Sequence, residues 1–135
     1  MTTKLVLIID KDLPLGLIAN TAAYLSLAMG QWLEPQLEAN VPDAANREHL
    51  GTVPLAIPIL SAERSVLTNL REQAYSLPDV LTVDFSNAAQ SSLTYAEYQR
   101  KLTTMPLEDV SYLGLACYGP KKLINKLTGS LALLR

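Results

Sequence analysis

The chain has 135 residues, of which 49% are hydrophobic and 18% are charged, with a formal net charge of −2. This length fits one domain whose apolar core can fold without support from a metal or a disulfide. The net charge argues against nucleic acid as the main partner, because proteins that hold a polyanion usually carry a basic surface. The single cysteine, Cys117, excludes an internal disulfide and a multi-cysteine zinc site.

The chain also lacks the patterns of a membrane or exported protein. Its longest helical candidate, 17–33, is interrupted by polar residues such as Asn20 and Gln31, and no apolar run approaches the about 18 residues of a membrane span. The N-terminal MTTKLVLIID begins a strand pattern without the layout of a cleavable signal. We therefore expect a cytoplasmic protein with no membrane partner.

The first half of the chain predicts a buried strand, a helix and a loop. Residues 4–9 (KLVLII) form a short apolar run without alternation, which indicates a strand buried on both faces. Helix 17–33 should end near Glu34, because Pro35 follows, and its apolar residues surround most of its circumference. We expect this helix to be packed on most sides. Residues 35–52 are polar and predict a loop.

The next predicted elements are an edge strand, a helix and a third strand. Residues 53–60 form an apolar run in which Pro54 and Pro58 remove N–H groups from one side, which indicates an edge strand. Ser61 is the expected N-cap of a helix that reaches Tyr75. Residues 80–85 (VLTVDF) alternate in polarity and predict a third strand.

The C-terminal part predicts a short helix, a fourth strand and a final helix. Thr94 and Glu97 have the spacing of a capping box at the start of helix 94–103. Strand 112–118 is followed by Gly119-Pro120 and a helix to about Leu127, with the apolar tail LALLR expected to pair or dock. Strands that alternate with helices predict a single α/β domain over 1–135, with a mainly parallel sheet and a helical insertion near 94–104.

The candidate ligand site lies where the predicted strands end. The residues found there are polar or flexible: Asp10 and Asp12 after the first strand, Asp84, Ser86 and Asn87 at the third, and Tyr118, Gly119, Lys121 and Lys122 at the fourth. Ligands of parallel α/β sheets bind beyond the carboxyl ends of the strands. If these strands are parallel, the three ends converge beside two helix N-termini, which favour an anion or a carbonyl oxygen.

Each of these residues also has a structural interpretation. Asp10 and Asp12 are typical turn formers, Asp84 can brace a loop, and the lysine pair can be a solvated helix face. Asn20 either faces the strand ends or braces a neighbouring loop. Cys117 fits a buried inert thiol and His49 a loop-bracing side chain. Tyr95 and Tyr98 are interpreted as core and interface residues. No GxSxG, HExxH, phosphate-loop or metal-ligand pattern occurs, so we predict no cofactor and no metal.

Several stretches resemble the type II peptidyl-tRNA hydrolase superfamily: KLVLIIDKDLPLG, VDF and YLGLACYGPKKLINKLTG. GLIANTAAYLSLAMG, the loop 51–58 and the C-terminal stretch resemble its uncharacterised branch, a domain of unknown function numbered two thousand. The resemblance implies a three-layer α/β/α domain with a mixed four-stranded sheet, commonly dimeric. It matches Asp84 to the family's catalytic aspartate. The family's catalytic lysine is absent, because Leu17 and Ile18 follow Gly16, and its first-helix glutamine and histidine fall near Asn20 and Ala23.

Three hypotheses of function follow. The first is a binding protein for a small anionic or polar ligand, held by Asp84, Asn20 and the turn 119–122. The second is an amide or ester hydrolase in which Asp84 orients or activates a water. The third is a non-catalytic dimeric interaction protein that uses the helix 94–103 or the first helix, where Gly30 and nearby alanines allow close packing.

Overall fold

The structure, a computed structural model, describes residues 2–34 and 37–135. The predicted break before Pro35 therefore falls at the edge of the described residues. In chain order the elements are β1 (Thr3–Asp10), α1 (Leu15–Trp32), β2 (Val41–Pro42), β3 (Glu48–His49), β4 (Ile59–Ala62), α2 (Arg64–Tyr75), β5 (Leu81–Ser86), α3 (Asn87–Gln90), α4 (Tyr95–Thr104), β6 (Tyr112–Pro120) and α5 (Lys121–Thr128). None of the described helices has the length and apolarity needed to cross a membrane.

A mixed four-stranded sheet in the order β4-β1-β6-β5 forms the centre of the molecule. β1 and β4 are parallel, whereas β6 is antiparallel to both β1 and β5. The expectation of a mixed α/β sheet is confirmed, but a mainly parallel sheet is wrong, because two of its three strand pairings are antiparallel. The reason is the connection from β5 to β6. This connection starts after Ser86 and ends at Tyr112, which pairs with Ser86. The chain therefore re-enters the sheet at the same end that it left, and β6 runs in the direction opposite to β5.

Helices cover both faces of this sheet. Leu5 and Leu7 of β1 pack with α1 on one face, while Val6 and Ile8 pack with α2 and α5 on the other. β1 is therefore buried on both sides, as its continuous apolar run predicts. The result is the three-layer α/β/α arrangement.

Helix α1 is less covered than its composition suggests. Thr21, Leu25 and Met29 are buried against the sheet, and Thr21 donates a hydrogen bond to the carbonyl of Leu17. The opposite side is apolar but open, with Leu27 71% exposed. The prediction that α1 is packed on most sides is therefore wrong for the isolated chain, because no other described helix or strand lies over the outer face of α1.

The C-terminal tail covers one edge of the sheet. The C-terminal tail pairs with edge strand β4: Ser61 N–H donates to the Ala132 carbonyl over 2.8 Å, and Leu134 N–H donates to the Ile59 carbonyl over 2.9 Å. The predicted pairing of the tail is confirmed, and so is the edge position of this strand, although it covers 59–62 instead of 53–60. Ser61 is not a helix cap. It is extended because β4 continues alongside β1 to Ala62, and α2 begins only at Arg64.

The predicted capping box of α4 is present. The Thr94 hydroxyl accepts the Glu97 N–H over 3.1 Å at the start of α4, and the Glu97 carboxylate accepts the Leu93 N–H over 3.1 Å.

Within the predicted loop 35–52, β2 and β3 form a short hairpin around Asp43. Its carboxylate accepts from Arg47 and lies 2.8 Å from His49 Nε2, and the His49 hydrogen bond lowers the pKa of Asp43. His49 therefore braces this loop, as expected.

Candidate functional site

The predicted convergence of three strand ends is wrong. Because β6 is antiparallel to β1, Gly119 lies opposite Lys4 at the beginning of β1. Asp10 and Ser86 end their strands at the other end of the sheet. Asp84 lies opposite Leu115, four residues before Gly119, which corresponds to about 13 Å along the strand. The residues predicted as one site thus fall into two groups at opposite ends of the sheet.

The group at the far end has structural explanations. Tyr118 donates its hydroxyl to Thr3 Oγ1 over 2.9 Å, which ties β6 to the start of β1. A side chain at Gly119 would meet the Asp79 carbonyl oxygen at 2.8 Å, so glycine is required by close backbone packing. Lys121 and Lys122 are exposed on the first turn of α5. These residues therefore lie at the end of the sheet where β5 begins, whereas Asp84 lies near the end where β5 leaves it.

The end of β1 is held by an ion pair. The buried Asp10 carboxylate accepts hydrogen bonds from Arg64 Nε at 2.9 Å and from the Asp12 N–H at 3.0 Å, and Arg64 Nη2 lies 2.9 Å away in the same ion pair. Asp10 is thus a turn former, as the structural interpretation had it, and its oxygens are occupied. Asp12 is exposed and contributes its backbone to the same turn.

Ser86 and Asn87 stabilise the connection that leaves β5. Ser86 is buried and caps α3 by accepting the Ala89 N–H at 3.4 Å. Asn87 donates to the Asp109 carbonyl at 2.9 Å and accepts the Ser111 N–H at 3.2 Å. Both side chains therefore hold the segment before β6 in place, and their polar atoms are largely satisfied by the protein.

Asp84 occupies a different environment. Its side chain is 22% exposed and lies two residues before the end of edge strand β5, with a single long contact of 3.4 Å to Arg71 Nε of α2. It lines a pocket of about 370 Å³ between β5, α1 and α4. The remaining lining residues are mostly aromatic or small: Tyr24, Ala28, Trp32, Leu81, Thr82, Val83, Tyr95 and Tyr98. We call this the Asp84 pocket.

Helix α1 supplies one wall of the Asp84 pocket. Tyr24, Ala28 and Trp32 are spaced by four residues and so lie on one face of the helix. Asn20 is exposed on the same face, one turn before Tyr24. Among the described residues its side chain makes no hydrogen bond to a loop, and it does not line the pocket, so a position facing the strand ends stays a prediction. The Tyr24 ring packs on Phe85 of β5, with centroids 4.5 Å apart, which fixes the distance between helix and strand.

Asp84 affects the phenols around it. Burial and the negative charge of Asp84 raise the pKa of Tyr24, and the same two causes raise the pKa of Tyr98 to about 12. Burial and Asp84 also raise the pKa of Tyr112, on the other side of β5. At neutral pH these phenols are therefore protonated and can act as hydrogen-bond donors or acceptors. Tyr95 stacks edge-on against Tyr98 at 5.5 Å, forming the α4 wall.

Sequence reasoning identified Asp84 but not the aromatic residues around it. The four-residue spacing of Tyr24, Ala28 and Trp32 and the pairing of Tyr95 with Tyr98 were available signals, but they did not indicate which faces would meet. Burial raises the pKa of Cys117 to about 11, so its thiol is protonated and unreactive, as expected. No group of three metal-ligating side chains is found within the described ranges.

The fold and the site together define a three-layer α/β/α domain with an acidic and aromatic pocket beside one open sheet edge. The chain belongs to the family described as protein of unknown function (DUF2000), whose sequence model matches residues 3–135. It is similar in structure to a protein of unknown function from Agrobacterium tumefaciens strain C58, with a TM-score of 0.87 and 16% identity over 98% of each chain. At that identity the similarity shows the fold alone. No functionally curated protein matches the chain.

Proposed function

We propose that this protein binds a small polar ligand that carries a positively charged amino or guanidino group, and that it does so in the Asp84 pocket. The observation that carries the proposal is a pocket that Asp84 lines together with aromatic residues, Tyr24, Tyr95, Tyr98 and Trp32. A cation is attracted both by the carboxylate and by the negative faces of aromatic rings. The phenol oxygens add acceptors for its N–H groups.

The charges nearby favour a cation over an anion. The lysines expected to attract an anion, Lys121 and Lys122, lie at the opposite end of the sheet from Asp84. Arg71 partly balances Asp84, but its single 3.4 Å contact is long and both side chains reach solvent. We expect this long, partly buried ion pair to contribute no more than the about 0–1 kcal/mol of a surface pair, so a ligand ammonium can compete for the carboxylate.

The size of the pocket limits the ligand. About 370 Å³ is near the lower end of the range of about 300–1,000 Å³ typical of small-molecule sites. That volume suits a ligand of amino-acid size. The wall of Ala28 leaves room where a larger side chain would fill the space.

Thermal unfolding with a matched panel tests this proposal. Butylamine, tetramethylammonium and methylguanidine should raise the melting temperature, whereas butanol, acetate and phosphate should not, because a ligand stabilises the state that binds it. Asp84→Asn should abolish the shift. Asp12→Asn makes the same chemical change at an exposed carboxylate outside the pocket and should leave the shift intact. Stabilisation by phosphate that disappears in Lys121→Ala/Lys122→Ala would instead support an anion site and contradict the proposal.

An amide or ester hydrolase is the alternative proposal, on a scaffold of the type II peptidyl-tRNA hydrolase superfamily. The three layers and the mixed four-stranded sheet agree with what that resemblance implies. The observation that favours catalysis is the set of protonated phenols near Asp84, since Asp84 can orient a water while a phenol donates to the developing oxyanion. Turnover of an ester or aminoacyl-ester panel that Asp84→Asn abolishes would support it.

Self-association is the proposal for the outer face of α1. Leu27 is 71% exposed there, beside an apolar hollow of about 580 Å³ between α1 and the loop around Leu55. We infer that a second copy covers this face. Leu27→Glu should then shift the sedimentation coefficient toward the monomer, whereas Leu93→Glu, at a leucine that is 96% exposed near α4, should not. The cytoplasmic location stays a prediction.

A further inference from the structure

Strand β5 forms a free edge of the four-stranded sheet. The opposite edge of the sheet is closed by the chain's own tail, through the bonds of Ser61 and Leu134 and the bridge between Leu60 and Leu133. β5 has β6 as its neighbour on one side. Across the described residues, no backbone hydrogen bond is made from the other side of β5. Alternate residues of this strand therefore have N–H and C=O groups without a backbone partner on that side, among the residues that the structure describes.

The Asp84 pocket runs along that free edge. Four consecutive strand residues, 81–84, line it together with α1 and α4. Two of its aromatic walls are largely exposed, Trp32 by 72% and Tyr95 by 71%. Aromatic residues are enriched at protein interfaces, and an unpaired sheet edge can bind an extended peptide as an added strand whose alternate side chains enter pockets.

We propose that an extended peptide segment carrying a lysine or arginine binds beside β5 as a fifth strand and places its cationic side chain in the Asp84 pocket. This inference rests on the proposed function, because it uses the same attraction of Asp84 and the aromatic rings for a cation. It adds the class of partner, which is a basic peptide. It also adds a second contribution to affinity, which is the set of backbone hydrogen bonds between the peptide and β5. β5 has six residues, so it pairs with a peptide segment of about 20 Å.

Charge decides between a basic peptide and a second copy of β5. Antiparallel pairing of two β5 strands about a two-fold axis would bring two copies of Asp84 toward each other. Like charges on directly paired strands are destabilising. A lysine or arginine in the added strand instead meets the carboxylate with the opposite charge, and the neighbouring rings of Tyr24 and Tyr98 contact its aliphatic stem.

Binding of fluorescent hexapeptide pools to the full chain, followed by anisotropy, tests the inference. Pools with a fixed central lysine or arginine should bind at least tenfold more tightly than pools with norleucine or glutamate there. Asp84→Asn should remove this preference, and Asp12→Asn should preserve it. For the best lysine peptide, N-methylation of alternate amides should weaken binding at least tenfold in one of the two registers only, because only one set faces β5.

Hydrogen exchange locates the peptide. Amides of residues 81–86 should become slower to exchange in the complex, whereas those of 59–62 should not change. If no pool binds, or if binding is equal in both N-methylated registers and leaves 81–86 unprotected, strand addition is wrong. If butylamine still stabilises the protein in an Asp84-dependent way while every pool fails, the small-ligand proposal stands and the peptide inference falls. If both fail, so do both proposals.

Discussion

Helix α2 carries two arginines that each contact an aspartate, and removing them one at a time tests which carboxylate is structural. Arg64 donates one hydrogen bond of 2.9 Å from Nε to Asp10 and places Nη2 2.9 Å from the same carboxylate, whose side chain is only 6% exposed. Arg71 makes one contact of 3.4 Å to Asp84, whose side chain is 22% exposed. The geometry therefore predicts that Arg64→Met destabilises the protein much more than Arg71→Met.

The expected difference follows from the two environments. Loss of Arg64 leaves the buried carboxylate with the Asp12 N–H as its hydrogen-bond donor. Breaking a buried pair costs about 3–5 kcal/mol, and we expect about 2–4 kcal/mol here because Arg64 itself is partly solvated. Loss of Arg71 breaks a long, partly buried contact and should cost about 0.5–1 kcal/mol, as for a weak ion pair. For a domain of this size, 1 kcal/mol corresponds to about 3–5 °C in melting temperature.

Calorimetry and urea unfolding of both variants measure these losses, with Arg100→Met on the exposed side of α4 as the matched control. The control should change stability by less than about 0.5 kcal/mol. Equal losses for Arg64→Met and Arg71→Met, or a larger loss for Arg71→Met, would refute the reasoning. Asp84 would then be held by a structural ion pair, and the proposal that a ligand cation competes for it would lose its basis.

Three further predictions concern packing, pH and the thiol. Gly114→Ala should lower the free energy of unfolding by about 1–3 kcal/mol, because the new Cβ would lie 2.8 Å from Thr21 Cγ2. Gly30→Ala, where nothing lies within 4 Å, should raise it by up to about 1 kcal/mol through helix propensity, and urea unfolding distinguishes the two signs. Because the folded state raises the pKa of Tyr98 to about 12, it binds the phenol proton more tightly than the unfolded chain, so stability should fall as the pH rises from about 10 to 12. Tyr98→Phe should flatten this decline in urea midpoints. Cys117 should react with a disulfide reagent only after denaturation, and reaction at the native rate of an exposed thiol would contradict its burial.

Local patterns predicted the elements well because the forces that form them are local. The apolar run of β1, the cap at Thr94 and the Gly119-Pro120 start of α5 depend on neighbours in sequence. The direction of β6 does not. Its residues, YLGLACYGP, would fill a buried strand equally well in either orientation, and the direction is set by where the chain re-enters the sheet after the α4 insertion.

That single orientation explains why the predicted site was only partly right. Reversing β6 carries Tyr118, Gly119 and the lysines to the opposite end of the sheet, while Asp84 on β5 keeps its place. The aromatic walls were not predicted because they depend on how α4 docks. α4 buries none of its residues, so its sequence contains no strong apolar stripe from which its partner could be inferred.

The charge of Asp84 and the open edge of β5 make most sense when considered together. A free edge strand flanked by exposed aromatic rings can pair with other apolar segments, including another copy of itself. Proteins commonly prevent such pairing with a charged side chain on the edge strand. Asp84 supplies that charge and disfavours self-pairing or acidic and purely apolar strands. The same carboxylate lowers the free energy of a strand that brings a cation, so protection of the edge and selection of a partner come from one residue. An edge that only needed protection would gain nothing from a pocket beside the carboxylate, whereas the Asp84 pocket has walls from α1 and α4 that would contact the stem of a basic side chain.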